Sequence, residues 1–310
     1  MIPLPALRSV HAIVTHDSCA DGLASAVLLH DALPDAEIQF VQYGTDAHRA
    51  LTPREGLLFC DFSPLPDAAA DFARAGTIVL DHHRTAKGIV LAMGENGVYA
   101  DEAAEPGVAG ALLAYRHVWL PLRGDSSSRA FAEHFATVAG VRDTWQTRSP
   151  LWREAQVQTE LLMALPRTWW LERSLAEIES SWTGALVHLG EALLVKREER
   201  VRRAIARGHR FVAERGARVV ALAGTGQTSD AAEALGSEVD VVLGFDYGEE
   251  SGVQRMRFSI RSHTDFDCAA FAAKHGGGGH TRAAGFGIAL GAEDAQPYVM
   301  VERLFGVTGK

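Results

Sequence analysis

Hydrophobic residues in the first third of the chain occur in short runs that alternate with helix-like segments. Short apolar runs bounded by turn residues are typical of buried β-strands. Four such runs are present, at residues 11–16, 37–44, 56–62 and 77–83. Segments 22–33 and 67–76 have the periodicity of helices. Strands that alternate with helices indicate an α/β fold, with a parallel sheet and helices on both of its faces.

The pattern changes twice further along the chain. Residues 107–183 are mostly helical in character, and a long, highly charged helix is predicted over 191–208. Strand-like runs then return, at 217–224, 238–248, 253–262 and 283–290, with a helix predicted over 266–276. We therefore expect a first α/β domain over 1–185, a connecting helix over 186–208 and a smaller α/β domain over 209–310.

Composition and charge narrow the class of protein. The 310 residues include 30 Lys and Arg against 39 Asp and Glu, a net charge of −9, which disfavours binding of long nucleic acid through a broad basic face. Three cysteines with no CxxC pair favour neither a disulfide framework nor a zinc ribbon. No apolar run is long enough to span a bilayer, and the first residues lack the pattern of a secretory signal. We expect a cytoplasmic protein with no membrane partner.

Acidic residues and histidines follow the predicted strands of the first domain. The clusters are His16 to Gly22, Cys60-Asp61, Asp81-His82-His83 and, further along, Asp143. Because the carboxyl ends of parallel strands meet at one edge of a sheet, we expect these side chains to converge there. So many carboxylates and imidazoles in one place are costly unless cations neutralise them. Two divalent ions are predicted, with Mn²⁺ preferred and Mg²⁺, Co²⁺ or Fe²⁺ as alternatives.

The second domain contains a glycine-rich segment with basic neighbours. Gly276 to Gly279 are followed by His280 and Arg282, and Arg261-Ser262 end a predicted strand upstream. Backbone amides of glycines approach anions closely, and arginine binds phosphate in a bidentate manner. The segment is therefore either an anion-binding element or a flexible glycine turn with solvated side chains, and its spacing alone favours neither.

Five motifs in this order resemble those of the DHH/DHHA1 phosphoesterases. They are HDSCADG (16–22), FCDFSP (59–64), VLDHH (79–83), VRDTW (141–145) and GGGGHTRAAGF (276–286). That superfamily includes single-strand exonucleases, nanoRNases, cyclic-dinucleotide phosphodiesterases and 3′-phosphonucleotide phosphatases. The resemblance covers nearly the whole chain and implies an N-terminal metal-bearing DHH domain and a C-terminal substrate-binding DHHA1 domain.

The resemblance also implies roles for individual residues. The implied metal ligands are His16, Asp21, Asp61, His82 and Asp143. Asp61 would bridge two ions, Asp81 would orient a neighbouring side chain, and His83 would face the substrate phosphate. The implied substrate-binding residues are Arg261, Ser262, Gly277, Gly278, Gly279, His280 and Arg282.

The first motif departs from the family pattern. Many members have two aspartates spaced D-x-D, where this chain has Cys19, Ala20 and Asp21. Either Cys19 binds the metal as a thiolate, or Asp17 takes the place of the absent carboxylate, or the first ion is held loosely. Alternatively, Cys19 is an inert thiol.

The function expected from these observations is Mn²⁺-dependent hydrolysis of phosphodiester bonds in short linear oligonucleotides. A cyclic dinucleotide or a 3′-phosphonucleotide such as pAp is the alternative substrate. A nucleotide-binding protein with a non-catalytic metal site is a third hypothesis. Long duplex nucleic acid is not expected as a partner, and a homodimer is possible.

Overall fold

The computed structural model describes residues 2–101, 104–250, 252–291 and 296–307, with the backbone alone described at 250 and 280. The chain forms two compact units, Met1–Leu194 and Val195–Lys310. The division falls inside a helix that spans Gly184–Arg207. Each unit has its own sheet and its own hydrophobic core.

The first unit is built on a parallel sheet. Its strands are β1 (Ala12–His16), β2 (Glu37–Val41), β3 (Leu57–Cys60), β4 (Ile78–Asp81) and β5 (Gly97–Tyr99). Within the described residues the strand order is β2-β1-β3-β4-β5, and every neighbouring pair is parallel. The parallel sheet predicted from the alternating pattern is confirmed. The edge strand β5 was not predicted, because three residues are too few to show alternation.

Helices connect and cover these strands. Those in the first half of the unit are α1 (Leu4–Arg8), α2 (Ala20–Ala32), α3 (Asp46–Arg49), α4 (Ala69–Arg74) and α5 (Lys87–Ala92). Those in the second half are α6 (Gly110–Ala114), α7 (Leu120–Arg123), α8 (Arg129–Asp143), α9 (Trp152–Ala164), α10 (Arg167–Leu171), α11 (Leu175–Ser181) and α12 (Gly184–Arg207). A single π-helical turn, Tyr115–Trp119, joins α6 to α7.

The sheet buries a different set of side chains on each face, because successive side chains of a strand point to opposite sides. Ile13, Leu58 and Leu80 pack in the larger cluster, together with residues of α2, α6 and α8. Val14 and Phe59 belong to a second cluster with residues of α4 and α5. Helices therefore cover both faces, as predicted, and the central strands β3 and β4 are buried along their whole length.

The second unit contains a mixed sheet. Its strands are β6 (His209–Val212), β7 (Arg218–Ala223), β8 (Val241–Glu250), β9 (Val253–Arg261), β10 (Gly278–His280) and β11 (Ala283–Ala289). Its helices beyond α12 are α13 (Thr228–Leu235), α14 (Cys268–Ala273) and α15 (Pro297–Leu304). Among the described residues the order is β10-β11-β9-β8-β7-β6, with only β7 and β8 parallel. Part of the glycine run, for which a flexible turn was one of the two interpretations, is an edge strand paired with β11.

The core of this unit also lies on both sides of its sheet. Phe245, Met256 and Phe258 pack in one cluster with residues of α14 and α15. Val220 and Val242 pack in another, with residues of α12 and α13. The predicted fold class, an α/β domain followed by a second α/β domain, is confirmed. No helix among the described residues combines the length and the apolar composition that a bilayer crossing requires.

Candidate metal centre

The five predicted metal ligands meet at the carboxyl-terminal edge of the parallel sheet. His16 ends β1, Asp61 follows β3, and His82 follows β4. One oxygen of Asp61, Oδ1, lies 3.2 Å from Nε2 of His82. The other oxygen, Oδ2, lies 3.7 Å from Nδ1 of His16. Nε2 of His82 is also 3.5 Å from Oδ2 of Asp143, at the end of α8. Asp61 thus stands between two histidines, one at the end of β1 and one directly after β4.

The backbone at Asp61 has a left-handed conformation, with φ of 55°. Aspartate and asparagine tolerate this region better than other residues with a side chain. The Asp61 amide donates a hydrogen bond of 3.0 Å to the carbonyl oxygen of Leu80, which extends the pairing of β3 with β4 by one bond. The side chain is only 1% exposed. The unusual φ therefore occurs in a fully buried residue at the end of a central strand.

Asp21 is placed by the start of another helix. Its Oδ2 accepts a hydrogen bond of 2.6 Å from the Gly110 amide, and its Oδ1 accepts one of 3.0 Å from the Ala111 amide. These amides belong to the first turn of α6, where a negative charge is favoured. A Cβ atom at Gly110 would lie 2.4 Å from Cβ of Asp61, so only glycine fits. Sequence reasoning missed Gly110, since no short-range motif marks it.

His16 is oriented by Gln42, the residue after β2. The distance from Nε2 of His16 to Oε1 of Gln42 is 2.9 Å. Oε1 of Gln42 also accepts from the Tyr43 amide at 3.0 Å. The NH₂ group of the same side chain donates to the carbonyl oxygen of Asp17 at 3.4 Å. Because both ends of the amide are fixed in this way, Nε2 of His16 must be the donor. Nδ1 is then the nitrogen that faces Asp61.

Asp81 organises the DHH segment. Its Oδ1 accepts from the amides of His82 at 2.7 Å and His83 at 2.9 Å, and from Nδ1 of His83 at 2.7 Å. Its Oδ2 accepts from the Ser63 hydroxyl at 2.5 Å and from the Tyr43 hydroxyl at 3.4 Å. Asp81 is fully buried, and its pKa is lowered by these partners in spite of burial. It therefore holds the imidazole of His83 with Nδ1 as the donor and leaves Nε2 available.

Charges in the centre are strongly coupled. Burial alone would lower the pKa of His82, but its hydrogen bond to Asp61 and the charge of Asp143 raise it to about 10. Burial is likewise outweighed at His83, where Asp81 raises the pKa to about 9. Burial and the negative charge of Asp61 raise the pKa of Asp21 well above its usual value. Without cations, the centre therefore offsets its carboxylate charge by holding protons on its histidines and on Asp21.

The donor atoms fit divalent ions. Three groups each offer one ligand atom per residue within 4.8 Å of one another: His16, Cys19 and Asp61; Asp61, His82 and His83; Asp21, His82 and Asp143. Nδ1 of His16 and Oδ2 of Asp61 are buried, and neither has a hydrogen-bond partner among the described residues. A buried polar atom without a partner costs free energy, which a cation between the two would recover. Imidazole and carboxylate together suit Mn²⁺ and its neighbours.

The two residues considered for the absent aspartate are placed differently. Cys19 belongs to the group with His16 and Asp61. Asp17 is absent from every group found among the described residues, and its Oδ1 forms an ion pair with Nη2 of Arg167. That guanidinium also lies over the ring of Phe40, at 4.0 Å from its centroid. The structure brings Cys19, but not Asp17, to the other ligands.

The predicted substrate residues of the second unit lie around β9, β10 and β11. The Arg261 guanidinium is held by its own unit, with Nε donating to the Ser229 hydroxyl at 3.0 Å and Nη1 to the Ile260 carbonyl oxygen at 3.0 Å. Ser262 is buried and contacts Thr264, hydroxyl to hydroxyl, at 3.2 Å. Arg282 is exposed. His280 lies in β10, and its side chain falls outside the described part of the structure.

The glycines of the run differ from one another. A Cβ atom at Gly277 would lie 2.2 Å from the carbonyl oxygen of Gly285, and one at Gly279 would lie 2.5 Å from that of Ala283. Gly278 has open space at this position. Of the three glycines predicted to bind substrate, Gly277 and Gly279 lie too close to neighbouring backbone for a larger residue to fit. Gly278 has no such steric constraint.

No protein-family profile and no curated protein matches this sequence. Solved structures do match its fold. A pGpG-specific phosphodiesterase, PggH from Vibrio cholerae, has a TM-score of 0.55 at 18% identity, covering 96% of this chain and 98% of that one. A DHH domain described as belonging to a family of ribosomal proteins has a TM-score of 0.64 at 14% identity, covering 98% and 88%. The chain therefore has the DHH-type fold that its motifs indicated.

Proposed function

We propose that this chain is a metal-dependent phosphoesterase that holds two divalent ions, Mn²⁺ in preference, and hydrolyses phosphodiester bonds in short linear oligonucleotides. The observation that carries the proposal is the position of Asp61. Its two oxygens face histidines at the ends of two different strands, His16 and His82, and it belongs to two of the three donor groups. One carboxylate with two such oxygens suits a bridge between ions. The DHH-type fold supports the same chemistry.

Bound ions would polarise a phosphoryl oxygen and make a bound water acidic enough to act as nucleophile at neutral pH. The residues of this chain would prepare the centre for them. Asp61, with His16 on one side and His82 on the other, would hold the ions together. Asp81 binds Nδ1 of His83 and raises the pKa of this ring to about 9, so that the protonated ring can donate from its free Nε2 to a phosphate oxygen.

The second unit would bind the rest of the substrate. Arg282 and the open position at Gly278 provide an exposed guanidinium and an accessible backbone for a phosphate. Arg261 already donates to Ser229 and to a backbone carbonyl, so its proposed role is to support this surface or to exchange these partners on binding. The net charge of −9 favours a substrate with few phosphates over a long strand.

The name of the Vibrio neighbour bears on substrate length. The pGpG in its name is a linear dinucleotide, which falls in the class proposed here. A cyclic dinucleotide is the second candidate, because it differs from a linear dinucleotide only by one additional phosphodiester bond that closes the ring. A 3′-phosphonucleotide is the third.

One experiment tests the proposal. The purified chain is incubated with Mn²⁺ and, separately, with pGpG, an oligonucleotide of about twenty residues, cyclic di-AMP and pAp, and the products are separated by chromatography. Fastest turnover of pGpG supports the proposal. Fastest turnover of cyclic di-AMP or of pAp replaces the substrate and keeps the phosphoesterase. If no substrate is turned over with Mn²⁺, the assay is repeated with Mg²⁺, Co²⁺ and Fe²⁺. Binding of nucleotides without turnover in the presence of any of these ions would overturn the enzyme and favour a nucleotide-binding protein.

A further inference from the structure

We propose that the thiolate of Cys19 is a direct ligand of the ion held by His16 and Asp61, so that this position is a mixed nitrogen, oxygen and sulfur site. The inference deepens the proposed function, since it concerns one half of the same metal centre. It adds to the proposed function a metal ligand and an ion preference that are particular to this chain.

The location of Cys19 is the first observation. It is the N-cap residue of α2, three residues after the end of β1, and its Sγ lies within 4.8 Å of the donor atoms of His16 and Asp61. In the absence of a cation, burial and the charge of Asp61 raise the pKa of the Cys19 thiol well above its usual value, although a helix N-terminus favours negative charge. A bound cation reverses this balance, because a thiol that coordinates a metal ion is deprotonated. Of the three cysteines, Cys19 alone belongs to a donor group among the described residues.

The second observation is independent of the cysteine. The side chain of Asp61 is 1% exposed, and its Oδ2 has no hydrogen-bond partner in the described part of the chain. The same is true of Nδ1 of His16, 3.7 Å away. Gln42 binds the opposite nitrogen of His16 and so directs Nδ1 toward Asp61. The two buried atoms face each other across a gap longer than a hydrogen bond, and a cation between them would give both a partner.

The other candidates for a third ligand are engaged elsewhere. The carboxylate of Asp17 is paired with Arg167 and accepts from the Ser18 hydroxyl at 3.1 Å. The thiol of Cys60 is directed to the carbonyl oxygen of Gly110, at 3.4 Å. Cys19 is therefore the side chain that completes the group with His16 and Asp61.

Ligation by sulfur has consequences for ion choice. On binding, the S–H proton of Cys19 is released to solvent and a metal–sulfur bond forms in its place, without oxidation or reduction. Thiolate ligands favour Co²⁺, Zn²⁺ and Fe²⁺ over Mg²⁺, whereas carboxylates suit Mg²⁺ and Mn²⁺. We expect this position to prefer Co²⁺ or Zn²⁺ to Mg²⁺, and the Asp21, His82 and Asp143 group to be less selective.

The test is spectroscopic and uses the full chain after removal of metal by a chelator. Titration with Co²⁺ should produce the near-ultraviolet charge-transfer absorption of a cobalt–thiolate bond. Cys19→Ser should abolish this absorption and lower the Co²⁺ affinity of one site at least about tenfold. Loss of a residue that merely supports a metal ligand already costs about tenfold or more, and loss of a ligand should cost no less. Cys268→Ser, in the other unit, is the matched control and should keep the absorption unchanged.

Cys19→Asp is the second variant, because it retains an anionic donor. It should bind Co²⁺ without the charge-transfer absorption and bind Mn²⁺ at least as tightly as the wild type. Retention of the absorption in either variant, or its absence from wild-type protein that binds Co²⁺ by calorimetry, would overturn the thiolate ligand and leave the phosphoesterase proposal intact. A wild-type protein that binds no Co²⁺ or Mn²⁺ at all would overturn both.

Discussion

Asp21 accepts a hydrogen bond from the amide of Gly110, 89 residues further along the chain, at 2.6 Å. This bond joins the first motif of the centre to the start of α6, and no other residue type fits at position 110. A side chain there would meet Cβ of Asp61 at 2.4 Å and Oδ2 of Asp21 at 2.8 Å. The positions of the two carboxylates are therefore linked through one backbone amide.

Gly110→Ala should damage the metal centre. The added methyl group must displace Asp61 or α6, at a cost of about 1–3 kcal/mol in the free energy of unfolding, as for other overpacked sites. Mn²⁺ affinity, measured by calorimetry, should fall because Asp21 and Asp61 move apart. Gly88→Ala is the control: Gly88 lies in α5 with open space at its Cβ position, so stability should be unchanged or slightly higher. Equal effects of both substitutions would contradict the steric argument.

Gln42→Leu should weaken the ion held by His16. Leucine removes the acceptor that fixes Nε2 of His16 as a donor, so the ring no longer presents Nδ1 alone to Asp61. Loss of such an outer partner typically costs about 10–100-fold in metal affinity. The measurement is Mn²⁺ calorimetry together with the ¹⁵N shifts of the His16 ring in the metal-free protein. Gln39→Leu, at an exposed position of β2, is the control. Unchanged ring shifts in Gln42→Leu would show that Gln42 does not set the tautomer.

Asp61→Asn should abolish turnover without unfolding the chain. Asparagine tolerates the positive φ at this position, so the substitution removes charge with little backbone strain. We expect kcat to fall more than about a hundredfold, because loss of a ligand should cost more than the roughly 10–100-fold typical of residues that only support ligands. Circular dichroism checks the fold, and Asp71→Asn, paired with Arg74 on the surface of α4, is the control. Near-normal turnover in a folded Asp61→Asn protein would exclude Asp61 as a bridging ligand.

His48 should make stability fall in mild acid. Burial lowers the pKa of His48 below 6.5 and outweighs the contact of Nε2 with the Ser63 carbonyl oxygen, at 3.1 Å, which raises it. Nδ1 accepts from the Gly44 amide at 3.3 Å. A proton on Nδ1 would break the second bond. With a folded pKa below the unfolded one, His48 stabilises the fold fully above about pH 6.5, and this contribution is lost as the pH falls through the folded pKa.

The measurement for His48 is the free energy of unfolding in denaturant at several pH values, for the wild type and for His48→Gln. Subtracting the free energies of unfolding of the two proteins removes the contributions of the other histidines. It should be largest near neutral pH and shrink in acid. A difference that grows as the pH falls would show that His48 is protonated in the folded protein.

Turnover should decline with substrate length. With a net charge of −9, the chain does not attract a long polyanion electrostatically. Each phosphate added to the substrate therefore increases electrostatic repulsion and adds few contacts. We expect kcat/KM to fall as linear oligonucleotides lengthen from two to about twenty residues at fixed salt. A flat or rising dependence at low and at moderate salt would indicate an enzyme that tracks along a strand.

Much of the centre was predictable from the sequence. His16, Asp61 and His82 follow apolar runs that had to become strands, and parallel strands end at one edge, so their convergence required only the alternation of elements. The α/β class and the covering of both sheet faces follow from the same alternation. These properties depend on local periodicity, which is visible in a linear sequence.

The tertiary structure alone decided how these residues are held. Gln42 and Gly110 carry no local signal, because their roles depend on contacts with residues 26 and 89 positions away in the sequence. The choice between Cys19 and Asp17 was likewise open in the sequence, since both lie near the absent aspartate. It depends on Arg167, 150 positions from Asp17, which occupies that carboxylate and leaves Cys19 beside His16 and Asp61. Periodicity determines which residues reach the edge of the sheet, whereas hydrogen bonds between distant segments determine which atoms face the ions.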